Sequence, residues 1–242
     1  MLPRLAAVLF LLAGLRSCVA YEYEHEFWLE VDGSGTVFVT GRPDLWSAFK
    51  GLEGSGGDQD ALKQSARQLF ERSGLRVRKV TVTHRGGRPY LFVAADFSDV
   101  NRLAGTPAFP DLEIRLSPDG ERLRLQGRWA PAGPAAAADD GLLAVRFHLP
   151  SKIFWHQNAH GGVERGNIVG WRQDVAQGLH GRPLEFAVLM DRRSILLSTV
   201  GIFAAAIVGG LALIGGAVYW VMRTGRRRTP PVPVAERPAV ND

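Results

Sequence analysis

Between Ser194 and Met222 the chain carries no charged side chain, and arginines stand on both sides of this run: Arg192 and Arg193 before it, Arg223, Arg226, Arg227 and Arg228 after it. An α-helix needs about 20 apolar residues to cross the hydrocarbon core of a bilayer, so residues 194–222 predict a single membrane-spanning helix. The span holds no Asp, Glu, Lys, Arg or His and so offers no proton or ion path of its own. Whatever precedes it has to work beside a membrane.

A shorter apolar stretch opens the sequence. Arg4, a core from Leu5 to Leu15, and then Arg16-Ser17-Cys18-Val19-Ala20 predict a secretory signal over residues 1–20 with cleavage before Tyr21. Cys18 is the one cysteine in the chain, so no intramolecular disulfide is expected. Leu15-Arg16-Ser17-Cys18 also outlines a bacterial lipobox, in which Cys18 would be lipidated; Arg16 departs from that pattern.

The net charge of +5 is a matter of topology. Arg4, Arg16, Arg223, Arg226, Arg227, Arg228 and Arg237 account for the excess, and residues 21–193 carry 22 basic and 22 acidic side chains. A pI near 9.8 therefore gives no reason to expect nucleic acid; the basic cluster is a stop-transfer signal. The positive-inside tendency places residues 223–242, basic and Pro-rich, in the cytoplasm as a disordered tail, and residues 21–193 outside the cell membrane.

The outer segment is large enough for one domain with a real core. Tyr23 to Val31 alternates apolar and polar side chains as a half-buried strand does, Asp32-Gly33-Ser34-Gly35 turns the chain, and Thr36 to Thr40 returns as a hairpin. Asp44 to Gly51 predicts a short helix, and Asp60 to Ser73 a longer one with Leu62, Ala66, Leu69 and Phe70 on one face. Strands follow at Leu75–Thr83, Tyr90–Phe97, Leu112–Leu116, Arg122–Trp129, Leu143–Leu149, Asn167–Arg172 and Pro183–Met190, with Ser117-Pro118-Asp119-Gly120 as a type I turn. Ser98 to Phe109 reads as a short helix or extended loop, and Pro131 to Asp140 as a low-complexity loop. The expected class is α+β: seven to nine strands in a mainly antiparallel sheet, two or three helices, and the single transmembrane helix.

Reactive side chains concentrate in one segment. His156, His160 and Glu164 recur at intervals of four, the ingredients of a metal site if they met on one helix face or in one loop. Gly161, Gly162 and Gly166 break the helix, and the full His-Glu-x-x-His signature is absent, so the segment reads rather as an exposed connection with Trp155 or Val163 tucked beneath. Ser34 and Ser151 lack the surroundings of an activated nucleophile. Arg122, Arg124 and Arg128 share one strand face, a solvated face or one that could meet phosphates or lipid head groups. No phosphate loop or dinucleotide fingerprint is present, and no cofactor is expected. Within the apolar helix, Gly201, Ala205, Gly209, Ala212 and Gly216 set small residues along one face, a pattern that lets helices approach closely and self-associate.

This order of features resembles the LppM-like group of bacterial envelope proteins. The matching pieces are Cys18, residues 27–40 around Asp32-Gly33-Ser34-Gly35, the Gly166-to-Trp171 strand and residues 194–228. The resemblance implies a signal or lipobox, a compact α+β domain and a closing helix, in a group whose namesake is associated with envelope glycolipids. It supplies no catalytic residues. The expected function is a non-enzymatic, membrane-anchored envelope domain binding membrane or envelope lipid, or another envelope component. The alternatives are a protein-interaction or scaffold subunit of a membrane complex and a metal-dependent envelope hydrolase using the 156–164 loop.

Overall fold

The computed structural model describes residues 21–52, 58–131, 133, 140–192 and 195–225. The expected signal with Cys18, most of the Ala-rich loop and the basic tail beyond residue 225 lie outside the described residues. Two units separate near residue 195, a folded domain and a long helix, and each is described by itself.

The first hairpin forms where the alternation places it. β1 (Tyr23–Leu29) pairs antiparallel with β2 (Gly35–Gly41) in a register running from Tyr23 opposite Gly41 to Leu29 opposite Gly35. Asp32 closes the turn by accepting hydrogen bonds from the backbone N–H of Ser34 at 2.9 Å and from its hydroxyl at 2.7 Å. Gly33 takes a φ of +86°, a conformation that favours glycine. Tyr23, His25, Phe27 and Leu29 point into the core, whereas Glu24, Glu26 and Trp28 project from the other face.

Two helices follow. α1 (Pro43–Lys50) begins with a proline whose fixed φ suits a first helical position, and ends at Gly51 with φ +63°. α2 (Gln59–Arg72) is capped by Asp58, whose carboxylate accepts from the N–H groups of Asp60 and Ala61 at 2.9 and 3.1 Å. Leu45, Trp46 and Phe49 of α1 and Leu62, Ala66, Leu69 and Phe70 of α2 are buried.

The remaining strands are β3 (Arg76–Arg85), β4 (Arg88–Phe97), β5 (Leu112–Asp119), β6 (Arg122–Trp129), β7 (Leu142–His148), β8 (Ile153–His156), β9 (Val163–Glu164), β10 (Ile168–Asp174) and β11 (Leu184–Asp191). A 3-10 turn at Val100–Arg102 occupies the segment read as helix or loop, and a short α3 (Val175–Leu179) joins β10 to β11.

The expectation of one mainly antiparallel sheet needs correction. The strands form two sheets: sheet A in the order β3-β4-β2-β1-β7-β10-β9 and sheet B in the order β5-β6-β11-β8. Sheet A is mixed, because β1 pairs with β7 in parallel, Phe27 lying opposite Phe147 and Trp28 opposite His148. The β5–β6 turn also shifts by two residues. Its strands stay paired to Asp119 opposite Arg122, leaving Gly120 and Glu121 as the loop, and Pro118 is tolerated within β5 because that strand is an edge.

The inner faces of the two sheets meet through aromatic rings. Phe27 stacks on Phe147 at 5.1 Å, Phe147 meets Phe186 of sheet B at 5.1 Å, and Tyr23 stacks on Trp129 at 5.8 Å. With α1 and α2 this makes one continuous apolar core. The long helix α4 (Ile195–Gly225) contains an apolar window over Thr199–Thr224 with mean hydropathy 2.2, consistent with a single-pass membrane anchor. It extends past the uncharged run to include Arg223.

Gly127 shows how tightly the core is set. A Cβ there would lie 2.0 Å from the backbone oxygen of Glu113 and 2.8 Å from the Phe186 ring. Gly127→Ala should therefore lower unfolding stability by about 1–3 kcal/mol in a denaturant titration. Gly170→Ala, whose Cβ meets nothing closer than 3.7 Å, should change it by less than about 0.5 kcal/mol.

Candidate functional site

The outer face of sheet A gathers the domain's most distinctive surface. Trp28 keeps 48% of its surface exposed, although it sits on a central strand. The parallel pairing brings His148 directly opposite it, and the two rings stack at 3.9 Å with 9° between their planes. The Nε2 of His148 lies 2.6 Å from Glu26 Oε1, which fixes the imidazole at its edge while Trp28 covers its face. Phe38 meets Trp28 edge-on at 6.4 Å and stacks on Phe92 at 5.9 Å, extending the aromatic surface over β2 and β4.

Charges flank this surface in matched pairs. Arg146 Nε lies 3.6 Å from Glu24 Oε1, and the Arg146 guanidinium is 5.8 Å from the centre of the Tyr21 ring. Burial raises the Glu24 carboxyl against the opposing pull of Arg146. For Glu26 burial acts in the same upward sense, but the hydrogen bond and charge of His148, with Arg146, more than offset it and hold the carboxyl below its ordinary value. Beside these groups a shallow depression of about 40 Å³ is lined by Tyr21, Arg146, His160, Glu164, Ile168 and Arg172. The face thus offers a flat aromatic ring, two carboxylates, a guanidinium and an imidazole within a few strand spacings.

Of the three residues singled out as metal-ligand candidates, His160 and Glu164 line this depression and His156 lies apart from them in sheet B. Residues 151–167 form β8, a turn and β9, with Asn158, Gly161, Gly162, Arg165 and Gly166 all at positive φ, so spacing by four sets no common face. His156 ends β8 in sheet B, and its Nδ1 accepts from the N–H of Ala159 at 3.3 Å. His160 Nδ1 accepts from the N–H of Arg172 at 3.3 Å, and Glu164 lies opposite Ile168 at the edge of sheet A. Among the described residues no group of three His, Cys, Asp or Glu side chains is placed to hold a metal ion. Trp155 and Val163, expected beneath this connection, are instead 47% and 36% exposed. In the long helix, a Cβ added at Gly201, Gly209 or Gly216 would meet no atom within 4 Å among the described residues beyond the helix's own nearby backbone, so these positions have room for a side chain.

A second polar group lies inside the domain and belongs to its packing. Tyr23, His25 and Trp46 are fully buried, and Tyr23 Oη, both ring nitrogens of His25 and Trp46 Nε1 make no hydrogen bond among the described residues. Lys50 is partly buried, and its ammonium donates to the Ala108 carbonyl and lies 4.8 Å from the centre of the Phe109 ring. Burial drives His25 far below the ordinary histidine value, helped by the neighbouring Lys50 charge. Burial likewise lowers Lys50 to about 7, with Asp111 pulling weakly the other way.

No family model matches the sequence, and no curated protein matches it. Among solved structures the chain is similar to the folded domain of Mycobacterium tuberculosis LppM, determined by NMR, at 12% identity and a TM-score of 0.40 over 72% of this chain and 91% of that one. A likeness of that size carries no argument about function.

The Lys50 environment makes a pH prediction. Its folded value of about 7 lies below the ordinary 10.5, so between these limits the unfolded chain binds a proton that the folded chain has released. Stability therefore rises with pH across that window. The melting temperature should increase from pH 7 to about pH 10, and Lys50→Met should flatten the slope; a flat native profile would contradict the assignment.

Proposed function

We propose that this chain is a single-pass, membrane-anchored binding domain that recognises a polar, ring-bearing envelope component on the outer face of sheet A. A sugar head group of an envelope glycolipid has the fitting chemistry. The domain stands on the extracytoplasmic side and the basic tail in the cytoplasm. The reading is non-enzymatic, and it gives the uncharged helix the role of tether.

The observation that carries it is Trp28. A large aromatic ring on a central strand, half exposed and held parallel to His148, is costly to leave in water and useful for stacking on a flat apolar ring face. Glu24, Glu26 and Arg146 supply directional hydrogen-bonding groups at its edge. The filled interior supports surface recognition over enclosure of acyl chains, since the core between sheets and helices is occupied by interlocking aromatic rings.

The test is retention of envelope glycolipid by the full chain, immobilised in mild detergent and exposed to a total envelope lipid extract, with mass spectrometry as the readout. Native protein should retain glycolipid, and Trp28→Ala should retain at least about ten-fold less, as expected for an aromatic anchor worth more than about 1.4 kcal/mol. Trp28→Phe should fall between. Equal recovery by Trp28→Ala, or none by the native chain, would refute the reading.

A further inference from the structure

Phe154 and Trp155, adjacent on β8, are 46% and 47% exposed. Adjacent residues on a regular strand point to opposite faces, so two neighbouring aromatics on one surface need an irregularity. The pairing supplies it. Trp155 lies opposite Leu189 and Ile153 opposite Met190, so Phe154 is the extra residue of a β-bulge. Ile153 is buried on the inner face, Trp155 joins Leu189 on the outer face of sheet B, and Phe154 lies against the guanidinium of Arg122 at 4.2 Å. Lys152 places its ammonium 5.8 Å from the same ring.

This edge is also the end of the domain from which the anchor departs. β8 pairs with β11, and the N–H of Asp191 donates to the Lys152 carbonyl at 3.1 Å. Arg122 lies opposite Asp191, and Arg192 donates to the Gly120 carbonyl at 3.5 Å. From Asp191 the chain reaches Ile195, where the apolar helix begins, in four residue steps spanning at most about 14 Å. Only a short length of chain therefore separates this edge from the first residue of α4.

We propose that Phe154 and Trp155, with Leu189, Arg122 and Lys152, form a membrane-interface contact that seats this edge of the domain in the head-group layer of the bilayer holding α4. The Trp155 indole, with an apolar body and a polar N–H, favours that depth, the Phe154 ring adds apolar surface beside it, and long basic side chains reach from it to phosphate. Contact with lipid also covers an edge strand whose exposed aromatics would otherwise invite strand pairing between chains. Asp119, Glu121 and Asp191 stand among the cations, and Asp119 pairs with Arg124 at 2.6 Å, so the aromatics rather than net charge drive the contact. This inference rests on the membrane anchoring proposed above and not on the Trp28 face, so each can fail without the other.

The test uses the full chain in phosphatidylcholine nanodiscs, with and without lipids brominated near the head-group end of their acyl chains. Subtracting the emission of Trp155→Phe from that of the native chain isolates Trp155 from the other tryptophans. The Trp155 emission should be quenched by the brominated lipid, shielded from aqueous iodide, and unchanged by high salt. Phe154→Ser, which removes the neighbouring ring, should move Trp155 towards iodide quenching. Emission quenched by iodide and untouched by brominated lipid would overturn the proposal. So would shielding from both quenchers, which would show that another protein surface covers the edge.

Discussion

The alternation of β1 is the constraint on which the rest of the domain depends. One strand, flanked on both sides within sheet A, sends Tyr23, His25, Phe27 and Leu29 into the core and Glu24, Glu26 and Trp28 to the opposite surface. A register slip of one residue would bury the carboxylates and expose the rings, so the hydrophobic pattern and the tight turn at Asp32–Gly33 together fix the pairing. The inner set holds the two sheets together through Phe27, Phe147 and Phe186 and through Tyr23 and Trp129. The outer set builds the candidate site. Core and surface are two consequences of the same seven residues.

The electrostatics divide the same way. Outside, acidic side chains meet polar partners, Glu24 the Arg146 guanidinium and Glu26 the His148 imidazole, so the face is polar and its carboxylates are partnered. That suits recognition by ring stacking and directional hydrogen bonds better than attraction to a polyanion. Inside, His25 and Lys50 are held towards their neutral forms by burial. The tertiary enclosure of these groups thus appears as a dependence of stability on pH, while the site's own chemistry sits on the solvent side of the strand.

Local features were legible in the sequence for physical reasons. The first hairpin follows from period-two alternation and a glycine-containing turn, α2 from its apolar stripe, and the uncharged helix from length and composition alone. The division into two sheets was not legible, because it depends on which distant strands pair. β1 meets β7 across more than a hundred residues, and that parallel pairing alone brings His148 onto Trp28. Glu24, Glu26 and Trp28 could be assigned to one face from spacing, but their partners could not. The relative placement of His156, His160 and Glu164 was not legible, since spacing by four sets a common face only on a helix and that segment is a strand, a glycine-rich turn and a second strand. Exposure of Trp155 escaped sequence reading for a related reason: a one-residue bulge leaves no local signature.

A domain with a filled aromatic core and an outward-facing tryptophan, followed within a few residues by a long apolar helix, underlies the proposal of surface recognition beside a membrane. Hydrogen–deuterium exchange on the full chain in nanodiscs, with and without envelope glycolipid in the bilayer, tests that account most directly. Protection is predicted in β1, β2 and β7 around Trp28, Phe38 and His148, with no change in α1 and α2. Protection confined to α1 and α2, or to residues 156–164, would place the ligand elsewhere and contradict it.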